Sequence, residues 1–379
     1  MKSVLDLGVR VDSIAEVERQ LALLRRSTSA HGREGVALPA RAAVLTLVVY
    51  ATRRVHAERA ARVISVLSNR HPSRALILFH DARETGQLTL RCHLPQAAGN
   101  QVLYEQIVVR AREAVPHLLR SIAIPLVIAD LPVFLWWTGT PDVHAPQFDE
   151  LLALAHRLVI DSADFARPDD ALPELRQLAR EGTGRFGVTD LNWTRLTAWR
   201  ELLAQFFDVR EWRGFLDAIT GVRVSFAVDM DGREIHPSQA LLLVGWLAGL
   251  LGWRPVEQMA PSEAGGLLFR VARGDGTPIW VRVRPRFVRG IEEGHVTGVR
   301  LRSGRDGRQA EFVVKRSDDG RPHAETEALV DGASVMHRTV FLPTPSVVEL
   351  LGEELTITRS DAVYEEALRS LCELGEVRA

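Results

Sequence analysis

Lysine and cysteine are nearly missing from this chain of 379 residues. Lys2 and Lys315 are the only lysines, so almost every positive charge is a guanidinium. A bias this uniform reflects GC-rich coding and marks no single arginine as a ligand. Cys92 and Cys372 are the only cysteines, with no CxxC and no Cys/His spacing suited to zinc, so no metal is expected and both read as free thiols of a reducing cytoplasm. No Walker A and no GxSxG sequence occurs, which removes the motif-borne forms of a phosphate cradle and a serine nucleophile. The start, MKSVLDLGVRVDS, has no long apolar stretch and hence no secretory signal. Ala240 to Trp253, the longest apolar run, is shorter than the ~20 residues that span a bilayer. A cytoplasmic protein with no membrane partner is the expectation.

What is present is ordinary in bulk and uneven in detail. With 46% hydrophobic and 25% charged residues the chain is globular, and its length exceeds what one core usually supports. The net charge of -1 hides a basic block: between Gly265 and Arg316 twelve Lys or Arg face five Asp or Glu. Such an excess survives folding as a basic face on a local module.

After an amphipathic helix near Asp12 to Ser27, a polar stretch with Gly32 and Gly35 reads as a linker. Ala42 to Tyr50, Arg74 to His80, Gln87 to His93, Gln101 to Arg110, Pro125 to Asp130, Val133 to Trp137 and His156 to Asp161 read as strands. Helical spacing separates them over Arg53 to Asn69, Arg112 to Ser121 and from Pro146. This alternation predicts a layered α/β domain with a largely parallel sheet over 36–168, behind an N-terminal helix and linker over 1–35. Over 169–379 a helical connector, Asp169 to Glu181 and Asp190 to Phe207, leads into a different pattern. Five Asp-Gly pairs, at 231, 275, 306, 319 and 331, punctuate alternating runs. Asp-Gly supplies the positive φ of tight hairpins, so an α+β domain with an antiparallel sheet is expected, with the Pro237 to Leu251 helix packed on one face and terminal helices over Ser346 to Gly375.

Gly182 to Gly187 (GTGRFG) matches the dinucleotide pattern letter for letter, yet a helix leads into it, whereas the motif needs a strand to deliver its glycines. It is read as a helix-to-helix connector, the alternative being a phosphate cradle on a helix starting near Asp190. Asp229 to Gly232 opens like a calcium loop but lacks the later ligands and reads as a hairpin turn. Pro237 suits a first helical turn, with Ser238 or His236 as cap.

Three places are candidates for binding. His71, Ser73 and Arg74, beside the helix-stopping Pro72, either shape a turn or present donors to an anion at the sheet edge. Trp136 and Trp137 alternate to opposite faces of one strand, so both fill core or one anchors a protein partner. Arg282, Arg284 and Arg286 share one parity with Trp280, and Arg300 and Arg302 flank Leu301. That face is either merely solvated or made for carboxylates or phosphates, which the planar guanidinium fork fits. Nucleic acid is not expected, because aromatic interleaving and a basic total are both lacking.

Four stretches, RHPSRA (Arg70 to Ala75), DLPVFLWW (Asp130 to Trp137), DLNWTRLTAWR (Asp190 to Arg200) and EIHPSQALLLVGWLAGLLGW (Glu234 to Trp253), in this order and at these separations, resemble the OpcA family, the glucose-6-phosphate dehydrogenase assembly proteins. The resemblance runs from roughly Ala37 to the C-terminal helix. It implies a noncatalytic factor, with no cofactor of its own, that binds glucose-6-phosphate dehydrogenase, promotes its active oligomer and so feeds NADPH production in the oxidative pentose phosphate pathway. Family members from photosynthetic bacteria are associated with cysteine-based redox control, a pattern that Cys92 and Cys372 do not match. Two other readings stay open: a phosphosugar-sensing or carbohydrate-binding protein using the His71 to Arg74 loop or the arginine face, and a transferase with a site at the C-terminal ends of the parallel strands.

Overall fold

A computed structural model of the chain describes residues 4–30, 43–68, 70–80, 88–93, 104–111, 116–229, 236–263, 265–357 and 360–375. The linker expected at Gly32 and Gly35 and the turn expected at Asp231-Gly232 lie outside the described residues. Two compact units form. One comprises residues 1–167, 178–191 and 346–360, and the other 168–177, 192–345 and 361–379.

The first unit contains β1 (Val9–Val11), α1 (Ile14–Ala30), β2 (Leu45–Ala51), α2 (Arg54–Leu67), β3 (Ser73–His80), β4 (Leu88–His93) and β5 (Glu105–Ala111). It continues through α3 (Pro116–Leu126), β6 (Val133–Trp137), α4 (Pro146–Leu152) and β7 (Arg157–Ile160); α5 (Pro168–Gly182) begins in the second unit, and β8 (Gly187–Asp190) closes the series. The strands form one sheet in the order β1-β4-β5-β3-β2-β6-β7-β8. All pairs are parallel except β1 with β4 and β4 with β5. The largely parallel α/β layer expected from the apolar runs is present. Every residue of β2 is buried, because helices lie on both faces: Leu47, Val49 and Trp136 share a core with α2, while Trp137 on the other face meets Phe148 of α4.

Two local expectations fail for clear reasons. Pro125 to Asp130 is not a strand; α3 runs to Leu126 and carries Pro125 one residue before its end, a position where the lost N–H bond interrupts only the final turn. Gly182 to Gly187 joins a helix to a strand, since Gly187–Asp190 pairs in parallel with β7. A helix does lead into the glycines, as the rejection of the dinucleotide motif requires.

The second unit holds α6 (Leu191–Thr194), α7 (Thr197–Phe206), α8 (Arg213–Leu216), β9 (Ile219–Val228), α9 (Ser238–Leu251), β10 (Arg254–Pro255), β11 (Ala260–Pro261) and β12 (Leu267–Ala272). Next come β13 (Pro278–Phe287), β14 (Val296–Arg305), β15 (Arg308–Arg316), β16 (His323–Val330) and β17 (Ala333–Phe341). Of the last two helices, α10 (Val347–Glu354) belongs to the first unit and α11 (Ala362–Gly375) to the second. The sheet runs β10-β12-β13-β9-β14-β15-β16-β17. It is antiparallel as expected apart from one parallel pair, β9 with β13. Asp306-Gly307 and Asp331-Gly332 are two-residue turns with all four φ angles positive, at 51° and 77°, then 52° and 80°, whereas the pairs at 275 and 319 sit in longer loops.

One face of this sheet is covered. Phe312 packs among Phe206, Phe207, Trp212 and Phe215 of the α7 to α8 region, and α9 lies against β9. Gly245 lets α9 and α11 pack backbone to backbone, since a Cβ there would collide with the Ala367 carbonyl. Leu250 departs from the expected all-round burial and is 62% exposed. Pro237 is the N-cap position itself, with no side-chain cap. Among the described residues no helix is long and apolar enough to cross a membrane, and no cluster of three His, Cys, Asp or Glu side chains is placed to hold a metal ion.

Candidate functional site

The other face of the second sheet is open, and its residues follow from strand alternation. In β13 the buried Ile279, Val281 and Val283 point toward the helices, leaving Trp280, Arg282, Arg284 and Arg286 on the opposite side. β9 lies between β13 and β14, and the register sets Arg223 directly between Arg282 and Arg300. Six arginines, with Arg302 beside Arg300, therefore share this face, and their commitments differ. Arg300 Nη1 donates to Glu311 Oε2 at 2.6 Å and Arg302 Nε to Glu311 Oε1 at 2.8 Å. Arg286 is paired with Asp318. Arg223, Arg282 and Arg284 have no acidic partner among the described residues, and the Nε atoms of Arg223 and Arg282 are buried without an acceptor.

Desolvation, followed by repulsion from Arg300, Arg284, Arg302 and Arg282, pulls the Arg223 guanidinium below its usual pKa. A cluster of like charges held without counter-ions works against the fold that holds it. Trp280, 51% exposed, lies at the rim with the Arg270 guanidinium 5.2 Å from its ring centre. Sequence reading identified Arg282, Arg284, Arg286, Arg300 and Arg302 but missed Arg223. Its signal was the alternation of Val222, Arg223, Val224, which repeats that of Val281 to Val283; the parallel pairing that unites them is not written locally.

The candidates in the first unit are differently placed. Arg74 is 6% exposed and fully engaged: Nε donates to Glu105 Oε2 at 2.6 Å, Nη1 to Glu18 Oε1 at 2.6 Å and to the Leu126 carbonyl at 3.1 Å. Ser73 is buried, and β3 lies inside the sheet between β5 and β2. His71 is half-buried, and burial and Arg70 lower its pKa. The donor set expected at a sheet edge is not assembled. Trp136 and Trp137 do take opposite faces, but both are core, at 4% and 2% exposure. Trp137 stacks on Tyr50 with centroids 4.0 Å apart, so neither indole is an exposed anchor.

The sheet order β5-β3-β2-β6-β7-β8 reverses direction between β2 and β6, the arrangement whose crevice commonly takes a dinucleotide. A pocket lies there, lined by His56, Arg59, Trp136, Gly139, Asp161 and Asp164. Its residues do not fit a pyrophosphate. The turn from β2 into α2, Ala51 to Arg54, contains no glycine to bring backbone N-H groups close. The Arg54 guanidinium is held by Asp6 at 2.9 Å and Glu58 at 3.0 Å, Arg59 by Asp164 at 3.3 Å, and two carboxylates face the crevice.

Family models and curated relatives agree on one family. A family model described as the glucose-6-phosphate dehydrogenase subunit N-terminal domain matches residues 53–177, and its C-terminal counterpart matches residues 186–368. A relative from Nostoc punctiforme, provisionally named OxPP cycle protein OpcA, is 27% identical over 317 residues, 81% of this chain and 66% of its own. One from Synechocystis sp., of the same name, is 24% identical over 314 residues, 81% of this chain and 64% of its own. The chain thus spans slightly less than two thirds of either relative. Among solved structures, a 3-ketoreductase from Actinomadura kijaniata in complex with TDP-benzene and NADP aligns at a TM-score of 0.48 and 12% identity, over 88% of this chain and 96% of that one. At that score the likeness carries no inference about activity.

Proposed function

The chain belongs to the OpcA family, and from that premise we propose that it is a noncatalytic assembly factor and allosteric activator of glucose-6-phosphate dehydrogenase, promoting the enzyme's active oligomer in the cytoplasm. The membership ties it to the oxidative pentose phosphate cycle. The observation that carries the finer reading is the open sheet face on which Arg223, Arg282 and Arg284 stand without counter-ions among the described residues, a surface suited to a partner's carboxylates. The switch-point crevice supports the same reading, because its glycine-free turn and its carboxylates suit no dinucleotide. Activation follows if the chain binds the active oligomer more tightly than the inactive enzyme, and its size is set by that difference in affinity.

Mixing the purified chain with the dehydrogenase tests this directly. Copurification and a faster rate of NADP reduction are expected; no contact at micromolar concentrations would remove the proposal. Two control arms address the other readings: a melting shift with glucose 6-phosphate on the chain alone would favour a phosphosugar sensor, and turnover by the chain alone a transferase.

A further inference from the structure

The open face of the second unit carries a second unmatched patch, of opposite sign. Arg282, Arg223 and Arg300 lie in one cross-strand row that continues through Val313 on β15 to Glu327 on β16. The next row runs from Arg284 through Ser225, Gly298 and Lys315 to Glu325. Glu325 is exposed and Glu327 half-buried, and neither has a basic partner among the described residues. The cations between them are ion-paired but share their carboxylates, Arg300 with Arg302 on Glu311 and Lys315 with Arg286 on Asp318.

From β9 to β16 is three strand steps, roughly 14 Å. That exceeds the Debye length of about 8 Å at physiological salt, so Glu325 and Glu327 do not compensate Arg223, Arg282 and Arg284. Small side chains, Ser225 and Gly298, separate them and leave the middle of the face low.

We propose that this face docks a protein surface of mirrored charge order, with carboxylates over Arg223, Arg282 and Arg284 and a basic group roughly 14 Å away over Glu325 and Glu327. The inference rests on the assembly reading and adds to it: a two-signed match admits one orientation of the dehydrogenase and rejects the reversed one, in which like charges meet. Trp280, 51% exposed, is the apolar contact at the basic end.

Affinity of the full-length chain for the dehydrogenase is to be measured at low and moderate salt for two double variants, Arg282→Glu with Arg284→Glu and Glu325→Lys with Glu327→Lys. Each is expected to weaken the complex about tenfold or more without lowering the melting temperature of the free chain. If the arginine pair matters and the glutamate pair does not, the two-signed match is wrong. If the free chain is a dimer that both variants dissociate, the occupant is a second copy and the proposal falls. A wild-type chain that never binds the dehydrogenase sinks the assembly reading itself, a result distinct from binding that ignores both reversals.

Discussion

Strand β2 of the first sheet is buried at all seven positions, whereas β13 of the second alternates between apolar residues facing helices and arginines facing solvent. The same residue type consequently has two fates. In the first unit Arg74 and Arg157 are drawn inside and bonded, Arg74 by Glu105 and Glu18, Arg157 by Thr189 and Glu354. In the second, three remain unsaturated on one face. A sheet enclosed between helix layers presents no sheet face to a partner, whereas the second sheet keeps one bare side, the side on which docking is proposed.

The sharpest way to break this contrast is to unsaturate a buried arginine. Arg157 is 1% exposed, and Glu354 of α10 reaches its Nη2 at 3.4 Å while accepting from Thr189 Oγ1 at 3.0 Å. Glu354→Ala removes the carboxylate and leaves a buried charge, an expected loss of about 3–5 kcal/mol in denaturant unfolding. A loss below 1 kcal/mol would mean that water reaches Arg157 and that the first unit is less closed than its burial indicates.

Arg74→Ala comes next, at about 2–3 kcal/mol, because its charged hydrogen bonds to Glu105 and Glu18 are lost but Glu18 is half exposed and regains water. The comparison sharpens with Arg282→Ala in the second sheet, expected within about 0.5 kcal/mol of wild type.

These two arginines also show where sequence reading succeeded and stopped. The runs around Val48 and Ile77 disclosed a buried parallel sheet because β-branched residues without alternation suit only that setting, and the Asp-Gly pairs at 306 and 331 disclosed hairpins because few residues tolerate two successive positive φ values. Arg74 looked available because a Pro-Ser-Arg turn reveals nothing about Glu18 and Glu105, which are brought to it by tertiary structure. The return of residues 346–360 to the first unit was equally silent: the capping box at Ser346, whose Oγ accepts from Glu349 N at 3.3 Å, announces a helix and not its destination. The arginine face was legible as parity along β13 and β14, and Arg223 was not, because pairing between β9 and β13 spans dozens of residues.

A thiol tests enclosure from another side. Burial lifts Cys92, within β4, from a thiol pKa of 9.0 to about 11. Below pH 9 folded and unfolded chains both keep the proton, so the contribution to stability is constant. Between pH 9 and about 11 the unfolded chain releases it first and stability falls as pH rises. Comparing urea midpoints of wild type and Cys92→Ala across that window should show the steeper decline in wild type; parallel curves would mean a thiol open to solvent.

The smallest effect carries the most information about the second sheet. If Arg223, Arg282 and Arg284 repel one another with nothing in the fold to compensate, neutralising one should stabilise the chain. Arg282→Met keeps the aliphatic stem and removes the charge directly opposite Arg223, so unfolding at low salt should become harder by about 0.5 kcal/mol or less. In ~1 M salt, where the Debye length is about 3 Å, the gain should vanish. A gain that salt erases identifies the charge as a burden on the isolated chain, retained for what it meets in a complex. A loss of stability at both ionic strengths would instead make Arg282 part of the fold's own packing, and the two sheets would then treat their arginines alike.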